Sequence, residues 1–225
     1  MASGHARARL GSRGRPEASR AAILQAAIRE FAREGVAGAR TDAIAKAAKV
    51  NKALLYYYFR DKDALYGAAL EQVFRERDQH LMPILAEKTP PGEKLLRYVG
   101  AFFDFLASHP EYREMVQREM FMLPRRPHAV RIIKTYMKPL FEELQKVFRE
   151  GIKAGVFRPV DPMQFIPSMA AVVVHYFGSA SLLKVMMQED PLSPQRLAAR
   201  RAAVLDFISA ALFQHTALPA EGERK

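Results

Sequence analysis

The sequence predicts an all-α chain in two parts, a three-helix module built around a helix-turn-helix and a larger helical domain behind it. Three observations carry this. Apolar residues recur at three- and four-residue spacing along most of the chain, with no internal repeat and no convincing strand. Proline and glycine clusters such as Thr89-Pro-Pro-Gly92 and His109-Pro110 interrupt that periodicity at helical intervals. Between Val50 and Lys62, a helix cap, a basic residue, a row of phenols and a second helix start follow one another directly.

Residues 1–18 form a basic leader in which Arg7, Arg9, Arg13 and Arg15 are separated by Gly, Ala and Ser, a composition expected to stay disordered. It either adds phosphate contacts or is a solvated tail. Ser19 is the expected cap of a first helix carrying Ile23, Leu24, Ala27, Ile28 and Phe31, and Gly35 its expected left-handed end. A second, shorter helix begins near Thr41 with Ile44, Ala45 and Ala48 on one side. After a short turn at Lys49 and Val50, Asn51 caps a third helix through its side-chain oxygen, and Lys52 sits in the first turn. Leu55 and Phe59, four residues apart, anchor this helix. Tyr56 and Tyr57 point away from the anchors, where a phenol donates to phosphate oxygens or lies against a base edge. Two short helices joined by a tight turn make a helix-turn-helix whose second helix enters the major groove. Read alone, Tyr-Tyr-Tyr-Phe is equally an aromatic core segment; the cap, the basic residues and the upstream register weigh against that. Asp61 is the expected cap of a fourth helix, whose free N–H groups make an anion site beside Lys62.

That fourth helix runs to about Glu87, with a kink expected at Pro83. Leu95, Leu96, Val99, Phe102, Phe103 and Leu106 form the stripe of a fifth, and Tyr112, Met115, Val116, Glu119, Met120 and Leu123 belong to a short sixth ending at Pro124. A longer helix from about Pro127 to Gly151 is expected to bend at Pro139. Two more, roughly Met163 to Met187 and Gln195 to Thr216, are apolar enough to pack against copies of themselves. Residues 68–216 thus read as one helical domain and 217–225 as a flexible tail.

The run Phe31-Ala-Arg-Glu-Gly35, with Ile44-Ala45, Ala48, Val50, Leu55-Tyr56, Tyr58-Phe59 and Lys62, resembles the amino-terminal signature of the TetR family of transcriptional regulators, across roughly residues 19–67. The resemblance implies a homodimer with a helix-turn-helix domain and a carboxy-terminal domain that binds a small molecule and dimerises. By position, it implies phosphate contacts from Tyr56, Tyr58 and Lys62, and base-edge proximity for Tyr57. The full DNA-facing set is Thr41, Lys46, Asn51, Lys52, Ala53, Leu54, Tyr56, Tyr57, Tyr58 and Lys62. Three positions depart from the family pattern. Lys49 replaces the usual turn glycine, so either the turn differs or about 1 kcal/mol of left-handed strain is tolerated. Leu54 replaces a small hydroxyl residue, exchanging a phosphate hydrogen bond for an apolar contact such as a thymine methyl. Arg40 replaces a Ser or Thr cap, leaving that role to Thr41.

Charge agrees with a nucleic-acid partner. The chain carries 35 Lys and Arg against 24 Asp and Glu, net +11, and residues 1–67 hold 13 against 6, so +7 of it lies in that first part. Absence of cysteine excludes disulfides and thiolate metal sites and suits a reducing, cytoplasmic setting. The leader lacks a signal peptide's apolar stretch. From Pro162 to Leu183 no charged residue occurs, long enough to span a bilayer, but Gln164, Pro167, Ser168, His175, Gly178, Ser179 and Ser181 favour a helix buried in a core or subunit interface. No catalytic motif or metal-spaced histidine cluster is present, so neither enzymatic activity nor a cofactor is expected.

Two sets of residues remain. For a ligand pocket, the polar or aromatic positions on apolar stripes are Phe102, Leu106, Tyr112, Met115, Glu119, Tyr136, His175 and Tyr176, in a Met- and Phe-rich region suited to hydrophobic or aromatic molecules. Glu119 has an internal ion pair as its alternative, and His175 a satisfied core position. In the family the last two helices form a four-helix dimer interface, for which Val173, Phe177, Leu182, Val204, Phe207, Ile208 and Leu212 are the candidates. Their alternative is an ordinary monomer core. The expected function is a repressor that binds an inverted-repeat operator as a dimer and is released by a small effector. A constitutive architectural DNA-binding protein is the second reading, and a helical enzyme or carrier the third.

Overall fold

The computed structural model describes residues 16–122 and 127–214, with backbone alone over 118–122 and 127–129. The leader and the carboxy-terminal tail lie outside the described residues. The chain forms two compact units, residues 1–73 with 114–129, and residues 74–113 with 130–225.

In the first unit, α1 (Pro16–Gly38), α2 (Thr41–Ala47), α3 (Lys52–Tyr58) and the start of α4 (Lys62–Ala86) enclose one core. Ile23, Ala27 and Phe31 of α1 meet Ile44 of α2, Leu55 of α3 and Leu65 of α4 in that buried set. The Phe31 and Tyr66 rings meet edge to face at 5.0 Å, the geometry the ring quadrupoles favour. Ser19 does not cap α1: the helix starts three residues earlier at Pro16, whose missing N–H costs nothing at a helix start. Gly35 interrupts α1 with φ 68° and ψ 176°, a backbone open only to glycine, and one more helical turn follows it. Arg40, not Thr41, is the residue before α2, and no side chain caps that helix. The buried Glu30 compensates, accepting from the Arg40 N–H at 3.3 Å and from Arg33 Nη2 at 2.6 Å. Lys49 resolves its alternatives towards strain, with φ 57°. The turn it makes lets the Val50 N–H reach the Ala45 carbonyl at 3.0 Å, which sets where α3 begins.

In the second unit, α5 (Pro91–Ser108) packs against α8 (Lys138–Lys153), α9 (Pro162–Gly178) and α11 (Pro194–Leu212). Leu95, Val99 and Phe103 of α5, Leu144 and Phe148 of α8, Val173 of α9, and Val204 and Ile208 of α11 supply the core. Gly151 lies under Phe157: a Cβ there would sit 2.0 Å from the ring, so only glycine lets the α8 end close over it. The chain after α8 is then tied to the end of α11, Arg158 N–H donating to Leu212 at 2.9 Å and Gln214 N–H to Val156 at 3.0 Å.

Two long helices expected from the sequence are subdivided. The segment after Pro127 is α7 (Pro127–Ile132), a π turn (Ile133–Met137) and α8. Pro139 has no N–H to return to the preceding turn, and the chain meets this by widening just before it, Lys138 N–H donating five residues back to Ile133. The apolar segment from 162 breaks at Ser179 into α9 and α10 (Ala180–Met187), bent by 63°. Ser179 Oγ donates to the His175 carbonyl at 2.7 Å, occupying an acceptor at the helix end. Among the described residues no single helix is long and apolar enough to cross a membrane.

Candidate nucleic-acid interface

The third helix is fixed from both ends. Asn51 Oδ1 accepts from the Leu54 N–H at 2.7 Å, satisfying a donor that the helix itself leaves free. Leu55 and Phe59 are buried, and the Arg20 guanidinium lies 5.2 Å from the Phe59 ring centroid. The anchors being inward, the rest of α3 is outward. Tyr57 is 80% exposed and Tyr56 41%, while Tyr58 is half-buried with its ring edge-to-face on Tyr57 at 5.2 Å. Asn51, Lys52 and Ala53 are exposed beside them, and Leu54 is half-buried. On α2, Lys46 is exposed and Thr41 half-buried.

Two contacts tie α2 to α3. Thr41 Oγ1 and Tyr56 Oη share a hydrogen bond at 3.3 Å, and Lys52 Nζ pairs with Asp42 Oδ1 at 2.9 Å. The hydrogen bond and charge of Lys52 hold the Asp42 carboxyl below its ordinary range, and Asp42 raises Lys52 in return. Asp42 was not among the expected site residues, because no local spacing links positions ten apart on separate helices. If Lys52 meets phosphate, as expected from the sequence, Asp42 competes with it for that cation. Asp42→Asn is therefore expected to raise affinity for duplex DNA of any sequence and steepen the salt dependence by about one unit per subunit. Salt titrations of binding to unrelated duplexes read this directly; an unchanged slope would mean that Lys52 does not meet phosphate.

At the start of α4, Asp61 Oδ1 accepts from the Ala64 N–H at 2.7 Å, the capping expected for it. Lys62 Nζ donates to the carbonyl oxygens of Ala37 and Ala39 at 3.3 and 3.2 Å, so it closes the end of α1 onto α4 and keeps one N–H to spare. Lys62→Ala is expected to weaken binding similarly on all sequences and to lower stability by about 1.5 to 3 kcal/mol, the range for hydrogen bonds to a charged group. Unaltered affinity with lowered stability would leave Lys62 a structural tie only.

The residues expected at a ligand pocket differ in burial. Leu106, Tyr112 and Met115 are buried and Phe102 and Tyr136 half-buried. Tyr112 and Tyr136 both meet the Phe74 ring, at 5.7 and 6.1 Å. The Glu119 side chain lies outside the described residues. His175 is not on the core face: it is exposed on α9. Tyr176 is a strut, its hydroxyl donating to the Pro191 carbonyl at 2.7 Å under the Arg200 guanidinium. The polar group missed in this unit is Arg77, whose side chain is 2% exposed. Its signal was available, since Phe74, Arg77 and Leu81 fall on one helical row.

The interface candidates divide too. Val173, Phe177, Val204, Ile208 and Leu212 are buried within the protomer. Leu182 and Phe207 are 61% and 56% exposed.

An exposed, capped, phenol-bearing helix behind a tight turn, with cations at its base, defines a helix-turn-helix DNA-binding protein. The family model of bacterial regulatory proteins of the tetR family matches residues 23–69, and that of the tetracyclin repressor-like C-terminal domain matches residues 91–208. The chain belongs to the TetR family of transcriptional regulators. It is 31% identical to the HTH-type transcriptional regulator RutR of Escherichia coli (strain K12) over 169 residues, 74% of this chain and 77% of that protein. It is 38% identical over 97 residues to the HTH-type transcriptional repressor SCO4008 of Streptomyces coelicolor, 43% of this chain and 46% of that protein. Its fold is similar to the crystal structure of the transcriptional regulator SCO4942 from Streptomyces coelicolor, with a TM-score of 0.67, 27% identity, and 86% of this chain and 98% of that one covered.

Proposed function

We propose that this regulator is a repressor that binds an inverted-repeat operator as a homodimer and leaves it when a small hydrophobic or aromatic effector binds its carboxy-terminal domain. The observation that carries the DNA-binding part is α3, where Asn51 caps a helix that buries Leu55 and Phe59 and leaves Tyr57 open to solvent. Repression is supported by the similarity to SCO4008, named a repressor. Thr41, Lys46, Lys52, Tyr56, Tyr58 and Lys62 meet phosphate, Tyr57 and Leu54 lie at base edges, and Asn51 and Ala53 allow close approach. One short helix offers few base contacts, so two copies reading successive major grooves supply the specificity.

The dimer forms on the exposed faces of α9 and α11 rather than on the buried residues first considered. Ala171, His175 and Gly178 of α9, and Ala199, Ala203, Phe207 and Ala210 of α11, are exposed. Small residues along these faces let a partner's helices approach to the 8–10 Å typical of packed pairs, and Phe207 and Leu182 supply apolar area. Phe207→Glu is expected to shift the protein from dimer to monomer at micromolar concentration, by sedimentation equilibrium, and with it to remove operator binding. A variant still dimeric would move the interface elsewhere.

Selection of binding sites from random duplex DNA at near-physiological salt tests the whole reading. An enriched inverted repeat is the expected result. Binding without an enriched motif that vanishes as salt rises would instead favour an architectural protein.

A further inference from the structure

In the second unit, Arg77 is enclosed with an unusual set of acceptors. Asp78 Oδ1 takes one edge of the guanidinium, accepting from Nε at 2.9 Å and Nη2 at 2.5 Å. The Tyr136 carbonyl accepts from Nη2 at 3.2 Å. On the far edge, Nη1 donates to the sulfur of Met137 at 2.9 Å. A thioether is a weak acceptor, so a fully charged donor is spent where little electrostatic return is available. The surroundings are aromatic: the Phe74 ring centroid is 5.0 Å from Cζ, Tyr136 stacks on Phe74, and Tyr112 packs on its edge. Burial pushes the Tyr98 and Tyr112 phenols up, against the opposing charge of Arg77 and, for Tyr112, a hydrogen bond with its guanidinium.

Met137 sits on a partly exposed element. It ends the π turn, in which no residue is buried, and is itself 39% exposed. π turns are rare, carry a surplus residue and concentrate at functional sites. Moving the Met137 side chain out to solvent requires no opening of the core.

We propose that Arg77 is the anion-recognition residue of the effector site, receiving the carboxylate of a small aromatic acid on Nη1 in place of the Met137 sulfur. This rests on the reading of the protein as ligand-responsive and names the chemical class of the ligand. Replacing sulfur by carboxylate turns a weak contact into a charge-assisted hydrogen bond. The aromatic body lies against Phe74 and Tyr136 as Met137 vacates its place. Asp78 keeps its edge of the guanidinium, so the site stays charge-paired before the acid arrives.

The test uses the full chain with benzoate and 3-phenylpropionate, each against its neutral primary amide, by isothermal titration at fixed pH and ionic strength. The expected result is binding of at least one acid at least about tenfold tighter than its amide, as charge assistance requires. Met137→Ala, at an exposed position, frees Nη1 and is expected to tighten the acid several-fold and not the amide. Arg77→Met is expected to abolish the preference; should it fail to fold, the Met137 variant still decides. No binding by either acid, no preference over the amides, or equal tightening of acid and amide in Met137→Ala overturns the proposal. Operator release is measured separately. An acid that binds with this pattern yet leaves operator affinity unchanged overturns the ligand-responsive reading and with it the effector role, while the anion site stands. Release by another compound, with neither acid bound, keeps that reading and overturns Arg77 as the anchor.

Discussion

Tyr57→Ala is expected to abolish most sequence discrimination while leaving the fold and the affinity for random DNA nearly intact. The side chain is 80% exposed, so its removal opens no cavity; the lost contact within the protein is the ring edge of Tyr58. A base contact in the major groove contributes about 1 to 3 kcal/mol of discrimination, and a twofold dimer makes it twice, so about 2 to 6 kcal/mol is at stake. The phosphate contacts proposed for Lys52, Tyr56 and Lys62 carry no sequence information and are expected to persist. The ratio of affinities for the selected operator and a scrambled duplex reads the effect. A preserved ratio with lowered overall affinity would make Tyr57 another phosphate contact.

Arg77→Ala is expected to destabilise the protein by about 3 kcal/mol, between the cost of a large core truncation and that of breaking a buried ion pair. The guanidinium is 2% exposed and its partner Asp78 23%, so Asp78 reaches water once unpaired, which keeps the loss near the low end of the ion-pair range. The Tyr136 carbonyl and the Tyr112 hydroxyl lose a donor, and the Phe74 ring loses its packing partner. Arg77→Met refills much of that volume and is expected to recover part of the loss. Denaturant midpoints of the three proteins make the comparison, and an Arg77→Ala midpoint equal to the parent's would show that the site tolerates emptiness.

The reading helix was legible because its signals are local. A cap, a first-turn lysine and apolar residues four apart are all set within one stretch, and the structure places Asn51, Leu55, Phe59 and Tyr57 accordingly. Helix ends were less so. Ser19 has the chemistry of a cap, yet the helix extends past it to Pro16, and α2 has no side-chain cap at all, the N–H of Arg40 being held instead by Glu30, ten residues before it, through a contact no spacing rule anticipates. The break at Ser179 escaped notice because the composition on both sides is equally helical and apolar.

By itself, the sequence determined the helical class, the helix-turn-helix and the face of α3 that meets solvent, since these follow from periodicity and capping over a few residues. Tertiary structure alone decided which apolar faces are spoken for. Val173, Val204 and Ile208 look like interface residues in the sequence and are core, because a periodic stripe is the same whether it meets its own chain or a copy. Only folding also sets the polar partners: Asp42 on Lys52, Ala37 and Ala39 under Lys62, and Met137 against Arg77. Charges find their partners by distance in space, and a buried cation must be matched by whatever the folded chain brings within reach.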